Sequence, residues 1–70
     1  MSELHYFRIN GMHEDSDVLK IESKLNVMDE IESVEIDLDS GMAFIKGNIS
    51  AQEISLIIDS AGFNSILIPE

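Results

Sequence analysis

The strongest constraint on the fold is an alternating segment that a short turn sequence joins to a second apolar segment. Residues 33–38 alternate apolar with polar side chains, and residues 42–46 are predicted to return as a second strand. This period of two is typical of strands with one buried face. Asp39-Ser40-Gly41 between them is typical of a tight turn. The centre of the chain therefore predicts an antiparallel hairpin, whose inward side chains are Val34, Ile36, Leu38, Ala43 and Ile45.

Two segments with helical spacing flank this hairpin. From about Ser16, apolar residues recur every three or four positions, as on the buried stripe of a helix. Ser50-Ala51-Gln52-Glu53 has the capping-box pattern, so a second helix is predicted to begin there, and Gly62 stands where a left-handed helix cap favours glycine. The two predicted stripes are Val18, Ile21, Leu25 and Met28, and Ile54, Ile57, Ile58 and Ala61.

A strand is predicted near each end of the chain, over residues 3–10 and 65–68. The order strand, helix, strand, strand, helix, strand predicts the split βαβ arrangement. Two helices on one face of a four-stranded antiparallel sheet bury every apolar stripe at once. The predicted class is therefore α+β, a ferredoxin-like βαββαβ sandwich. The face that we expect the helices to cover carries His5, Phe7, Ile9, Val34, Ile36, Ala43, Ile45, Ile66 and Ile68.

Composition limits what such a domain does. Seventy residues with 44% apolar content predict one domain over residues 1–70. Fourteen acidic against four basic residues give a net charge of −10, which argues against nucleic-acid binding because phosphates attract clustered Lys and Arg. No run approaches the roughly 20 apolar residues of a membrane span, and no secretory signal is recognised, so we expect a cytoplasmic location. The absence of cysteine excludes thiolate metal sites.

The loop after the first strand, residues 11–17, concentrates polar side chains. His13, Glu14 and Asp17 form a candidate mixed nitrogen and oxygen site for a divalent ion such as Zn(II) or Cu(II). The alternative is that Glu14, Asp15 and Asp17 are first-turn acids that complement the helix dipole. The sequence leaves both interpretations open.

Over most of its length the chain resembles the heavy-metal-associated domain family, which includes copper chaperones and the N-terminal modules of metal-pumping ATPases. The resemblance rests on residue types and their spacing across both helices and the central hairpin. The positions that carry it are Gly11, Met12, Val18, Ile21, Glu22, Leu25, Val34, Ile36, Asp37, Leu38, Gly41, Ala43, Ile45, Gly47, Ser50, Glu53, Ile54, Ile58, Ala61, Gly62 and Phe63.

The resemblance implies the strand order 4-1-3-2 and a monomeric or weakly associating domain that binds Cu(I) and passes it to a partner. The family's two loop cysteines correspond to Glu14 and Asp17. Carboxylates are hard ligands and suit Cu(I) poorly, so we do not expect Cu(I) binding. The resemblance also implies that Met12 supports the loop from the core and that Phe63 shields it.

With that strand order, Tyr6, Phe44 and Leu67 come from three neighbouring strands on the uncovered face of the sheet, a candidate interaction face. The alternative is that a small domain simply leaves a few apolar residues exposed. A second candidate surface is the acidic run Asp29, Glu30, Glu32 and Glu35.

No separated nucleophile, base and orienting residue indicates catalysis, so we expect a non-enzymatic protein without an assigned cofactor. The preferred hypothesis is an interaction or adaptor module related to metal trafficking, steered by its acidic charge towards a partner with a basic surface, such as a metal-transport component. The alternative is a protein that binds a divalent metal ion through His13, Glu14 and Asp17.

Overall fold

The computed structural model describes residues 2–69, and the two end residues of the predicted domain, Met1 and Glu70, lie outside that range. The predicted order of elements is confirmed. Neither helix within the described range is long and apolar enough to cross a membrane. The elements are β1 (Glu3–Asn10), α1 (Asp15–Asn26), β2 (Ile31–Asp37), β3 (Met42–Gly47), α2 (Ala51–Ser60) and β4 (Asn64–Ile68).

The four strands form one antiparallel sheet in the order β2-β3-β1-β4. This is the predicted order 4-1-3-2 read from the opposite edge, and the prediction is confirmed. β1 and β3 are the central strands, whereas β2 and β4 lie at the edges. The β2–β3 turn passes through Gly41 with φ of +75°, where its backbone N–H donates to the Asp37 carbonyl at 2.9 Å.

Both helices cover the same face of the sheet, and the core lies between the two layers. Apart from the partly exposed His5, the side chains at the predicted inward positions of β1 and β3 are buried, as are two from each helix stripe. Around this centre pack the inward side of β2 and three further residues of the helix stripes, Met28, Ile57 and Ala61. The buried core consists of Phe7, Ile9, Ile21, Leu25, Ala43, Ile45, Ile49, Ile54 and Ile58.

The predicted orientation of the last strand is wrong. In the β1–β4 register, Leu67 lies opposite Phe7, and Ile68 lies opposite Tyr6. Directly opposed residues of antiparallel strands point to the same face, so Leu67 belongs to the helix side and Ile66 and Ile68 to the uncovered face. The apolar run allows either register, because shifting a strand by one residue exchanges its two faces.

β2 begins with an irregularity that the sequence analysis did not predict. Ile31 pairs with Gly47 and Ser33 pairs with Lys46, so Glu32 is the extra residue of a bulge. The chain at Glu30–Ile31 crosses close to Gly47, where a Cβ atom would come within 2.9 Å of the Ile31 Cα. The regular part of β2 is therefore the segment from Ser33 to Asp37.

Candidate functional site

The loop between β1 and α1 leaves the sheet at Gly11, whose φ is +102°. A Cβ atom at Gly11 would lie 3.4 Å from Phe63 Cδ1, so the Phe63 ring lies beside the start of the loop. Met12 and Phe63 are both partly buried against the core, while His13 and Glu14 are exposed. Both residues thus pack against the core, and their roles in supporting and shielding the loop stay predictions.

Asp17 closes the loop on itself. Its Oδ2 atom accepts hydrogen bonds from the backbone N–H of His13 at 2.9 Å and of Glu14 at 3.2 Å. Glu14 is the N-cap residue of α1, with extended φ and ψ of −139° and 162°. Helix N-termini leave backbone donors without intrahelical partners, and the carboxylate supplies acceptors just outside the first turn. The Asp17 carboxylate therefore holds the backbone of residues 13 and 14 against the start of α1.

The same contacts explain the ionisation of Asp17. The hydrogen bond from the His13 backbone is the largest cause that lowers the pKa of this carboxyl below its ordinary value of 3.8, with smaller contributions from the Glu14 backbone and the positive charge of Lys20. Donors directed at the carboxylate stabilise its charged form. Asp17 is consequently ionised at neutral pH and across the mildly acidic range.

We expect Asp17→Asn to remove a pH-dependent part of the stability. Because the folded pKa of Asp17 is depressed, its contribution is fully present above the unfolded value near 3.8 and is lost as the pH falls through the lower folded value. Urea unfolding of both proteins should therefore give a stability difference at neutral pH that shrinks below about pH 4. Asp15→Asn is the matched control, since it changes the same charge in the same turn. An equal, pH-dependent loss of stability in Asp15→Asn would contradict the role of Asp17 in holding the loop.

The candidate metal ligands are adjacent in the structure but are not arranged around one point. Asp17 directs Oδ2 to backbone donors, and Glu14 Oε2 accepts a hydrogen bond from Ser16 Oγ at 3.3 Å. Among residues 2–69, no group of three or more His, Asp or Glu side chains is positioned to hold a metal ion. The available carboxylate and imidazole donors do not fit Cu(I), which prefers soft sulfur ligands. Coordination of a harder divalent ion by His13, Glu14 and Asp17 stays a prediction.

His5 has a structural contact that the sequence did not reveal. Its side chain is 13% exposed, and Nε2 lies 2.9 Å from the Ile49 carbonyl oxygen. That geometry requires a proton on Nε2, so the ring donates to the backbone, while Glu3 Oε2 lies 3.5 Å away. His5 therefore joins β1 to the segment before α2, on the face that the helices were expected to cover.

The uncovered face of the sheet carries an aromatic pair at its centre. Tyr6 and Phe44 are opposed across β1 and β3, with ring centroids 5.4 Å apart in an edge-to-face arrangement at 85°. The same row continues to Ile68 on β4 and to Glu35 on β2. Ile68 thus occupies the place predicted for Leu67, and the face changes from apolar at β4 to acidic at β2.

The neighbouring row repeats this polarity. This row runs from Ile66 on β4 to Arg8 on β1. It continues to Met42 on β3 and ends at Asp37 on β2. Lys46 lies beside Leu4 and Ser33 at the other end of the face. The two basic residues of this face therefore lie on the central strands, and the acidic residues lie at the β2 edge.

Solved structures with the same architecture are copper and heavy-metal domains. The N-terminal domain of PacS from Synechocystis PCC6803 matches with a TM-score of 0.90 and 13% identity, covering 96% of this chain and 98% of that one. A copper binding domain from the P-type ATPase HMA7 matches with a TM-score of 0.91 and 18% identity, covering 100% and 97%. The yeast copper transporter domain CCC2A, solved in apo and Cu(I)-loaded states, matches with a TM-score of 0.88 and 18% identity, covering 94% of each.

A scan of protein-family models and a search of curated proteins gave no match. At these sequence identities the structural likeness establishes the fold alone. It does not establish the function, because one fold hosts many functions. The chain therefore has the ferredoxin-like fold of heavy-metal-associated domains, and its loop carries acidic side chains and no cysteine.

Proposed function

We propose that this chain is a non-enzymatic binding module that retains the fold of metal-trafficking domains and acts through protein contacts instead of Cu(I) transfer. The observation that carries the proposal is the loop, where Asp17 accepts the backbone N–H groups of His13 and Glu14. The side chain that stands at a cysteine position is thus used to hold the loop. The copper binding named for the similar domains does not transfer, because the soft ligands are replaced by hard ones.

The charge of the molecule indicates the kind of partner. A net charge of −10 on 70 residues attracts a basic surface and raises its association rate. The similar domains belong to a copper chaperone for superoxide dismutase and to a P-type ATPase, so a basic surface on a metal-transport component is the partner we propose. The domain acts in the cytoplasm, as a monomer in its free state.

The second candidate function is binding of a hard divalent ion by His13, Glu14 and Asp17. The adjacency of these three residues on one loop, with His13 and Glu14 exposed, favours it, since carboxylate and imidazole groups are donors for such ions. Titration with Zn(II), Cu(II) and Cu(I), followed by backbone amide shifts, separates the two. The adaptor proposal predicts diffuse, unsaturated shifts with all three ions. Saturable shifts confined to residues 11–17 with Zn(II) or Cu(II) would instead establish the metal site.

We expect association with a basic partner to weaken strongly as salt rises. Between about 0.1 M and 1 M salt the Debye length falls from about 10 Å to 3 Å, which screens attraction between the acidic surface and the partner. Calorimetric titration of purified P-type ATPase segments with basic surfaces, at several salt concentrations, measures this dependence. An affinity that does not change with salt would show that the apolar residues of the open face hold the partner. Absence of binding at low salt would contradict the adaptor function.

A further inference from the structure

β2 is an edge strand whose outer side is open. It pairs with β3 alone among the described elements, so half of its backbone N–H and C=O groups face outward. Such an edge is a template for another strand. The bulge at Glu32 interrupts the edge at one end, which leaves Ser33–Asp37 as a regular stretch of ladder.

Two surface grooves meet at this edge. One has a volume of about 440 Å³ and reaches from α1 across β2, and the other, of about 460 Å³, lies on the open face of the sheet. Glu35 and Phe44 line both grooves. The first is completed by Glu22, Val34, Ile36 and Asp37, and the second by Leu4, Tyr6 and Ser33.

The sequence of β2 defines what would pair with it. On the open face the edge presents Glu35 and Asp37, and on the helix side it presents Val34 and Ile36, which are only partly buried. Directly opposed residues of an added antiparallel strand share these faces, and their side chains interact in pairs. A complementary strand therefore alternates basic with apolar residues. Glu22 from α1 adds a further acidic group to the groove.

The charges around this edge favour such a strand. Among residues 2–69, no Lys or Arg lines either groove, although Lys46 on β3 lies opposite Ser33 at one end. The other edge strand, β4, carries no charged residue, presents Ile66 and Leu67 to solvent, and is followed by Pro69. Charge complementarity thus distinguishes the β2 edge from the β4 edge.

We propose that the β2 edge binds an extended segment of a partner, with alternating basic and apolar side chains, as a fifth strand of the sheet. This proposal rests on the proposed adaptor function and names the surface that performs it. Main-chain hydrogen bonds to Ser33–Asp37 provide the pairing, and basic side chains opposite Glu35 and Asp37 provide the selectivity.

A blocked peptide of alternating lysine and valine is the probe. Titrated to about 1 mM, where weak contacts are detected, it should shift the backbone amides of residues 33–37 and leave those of β4 unchanged. The same peptide N-methylated at alternate residues keeps its charge but loses main-chain donors, and it should not saturate. Equal binding of both peptides, or shifts centred on residues 64–68, would overturn the proposal.

Charge-reversal variants test the selectivity. Glu35→Lys should weaken peptide binding about tenfold, since it replaces an attractive cross-strand pair by a repulsive one. Asp59→Lys on α2 changes the net charge equally at an exposed site away from β2, and it should leave the affinity within about twofold. Equal effects of the two variants would overturn strand addition. If the peptide fails but basic partner surfaces still bind in a salt-dependent way, only this inference falls, and the adaptor function stands.

Discussion

Phe7→Ala is expected to remove a large part of the stability of the domain. The Phe7 side chain has no solvent exposure, and it lies on a central strand between Ala43 and Leu67 of the neighbouring strands. Truncating a buried phenylalanine costs about 3–5 kcal/mol through lost burial and the cavity left behind. A domain of 70 residues has a total stability of only about 4–10 kcal/mol. Urea unfolding followed by circular dichroism measures the loss.

Tyr6 provides the matched comparison for this prediction. It is the adjacent aromatic residue on the same strand, but it faces the uncovered side and packs edge-to-face on Phe44. Losing that pair costs about 0.5–1.5 kcal/mol beyond the burial that the ring provides, so Tyr6→Ala should stay folded. Phe7→Leu should likewise lose less than Phe7→Ala. Equal losses of stability in Tyr6→Ala and Phe7→Ala would mean that Tyr6 is as buried as Phe7. The open face would then not be available to a partner.

The order of elements could be predicted because the sequence changes its hydrophobic period at each boundary, whereas the strand order was implied by the resemblance to heavy-metal-associated domains. The first strand of the central hairpin alternates apolar with polar residues, and each helix has one apolar stripe, so placing both helices on one face of the sheet buries all of them. The covered faces of β1 and β3 followed from the same alternation. The placement of Tyr6 and Phe44 at the centre of the open face was therefore predictable as well.

Other features depend on contacts that no local pattern encodes. The segment Ser65-Ile66-Leu67-Ile68 is apolar on both faces, so only pairing with β1 decides that Leu67 faces the helices. The bulge in β2 did leave a signal, since Ile31 and Val34 both pack against the core although they are three residues apart. A regular strand places same-face residues at even spacing, and an odd spacing therefore indicates an extra residue.

The candidate loop was only partly predictable. Acidic residues at the start of α1 were expected to complement its dipole, but the sequence does not say which of them turns back to the backbone. In the structure Asp17, the third residue of α1, accepts the N–H groups of His13 and Glu14. The expectation that the loop does not bind Cu(I), by contrast, follows directly from the absence of cysteine.

Placing two cysteines in the loop should create a soft-metal site. We expect the Glu14→Cys, Asp17→Cys double variant to bind one Cu(I) ion per chain, where the unmodified chain binds none. The two positions are the N-cap and the third residue of α1, and thiolates at a helix N-terminus are stabilised by the nearby backbone N–H groups. Two soft thiolates hold a cuprous ion that carboxylates do not. Titration against a Cu(I) indicator under anaerobic, reducing conditions measures the gain.

The controls separate ligand chemistry from loop geometry. A Glu14→Ser, Asp17→Ser variant removes the same acids without adding sulfur, so it should fold and bind no Cu(I). Each single cysteine variant should bind far more weakly than the double, because one thiolate cannot complete a two-coordinate site. Failure of a correctly folded double variant to bind Cu(I) would show that the loop no longer brings residues 14 and 17 together. The acidic side chains would then have changed the backbone path of the loop as well as its ligands.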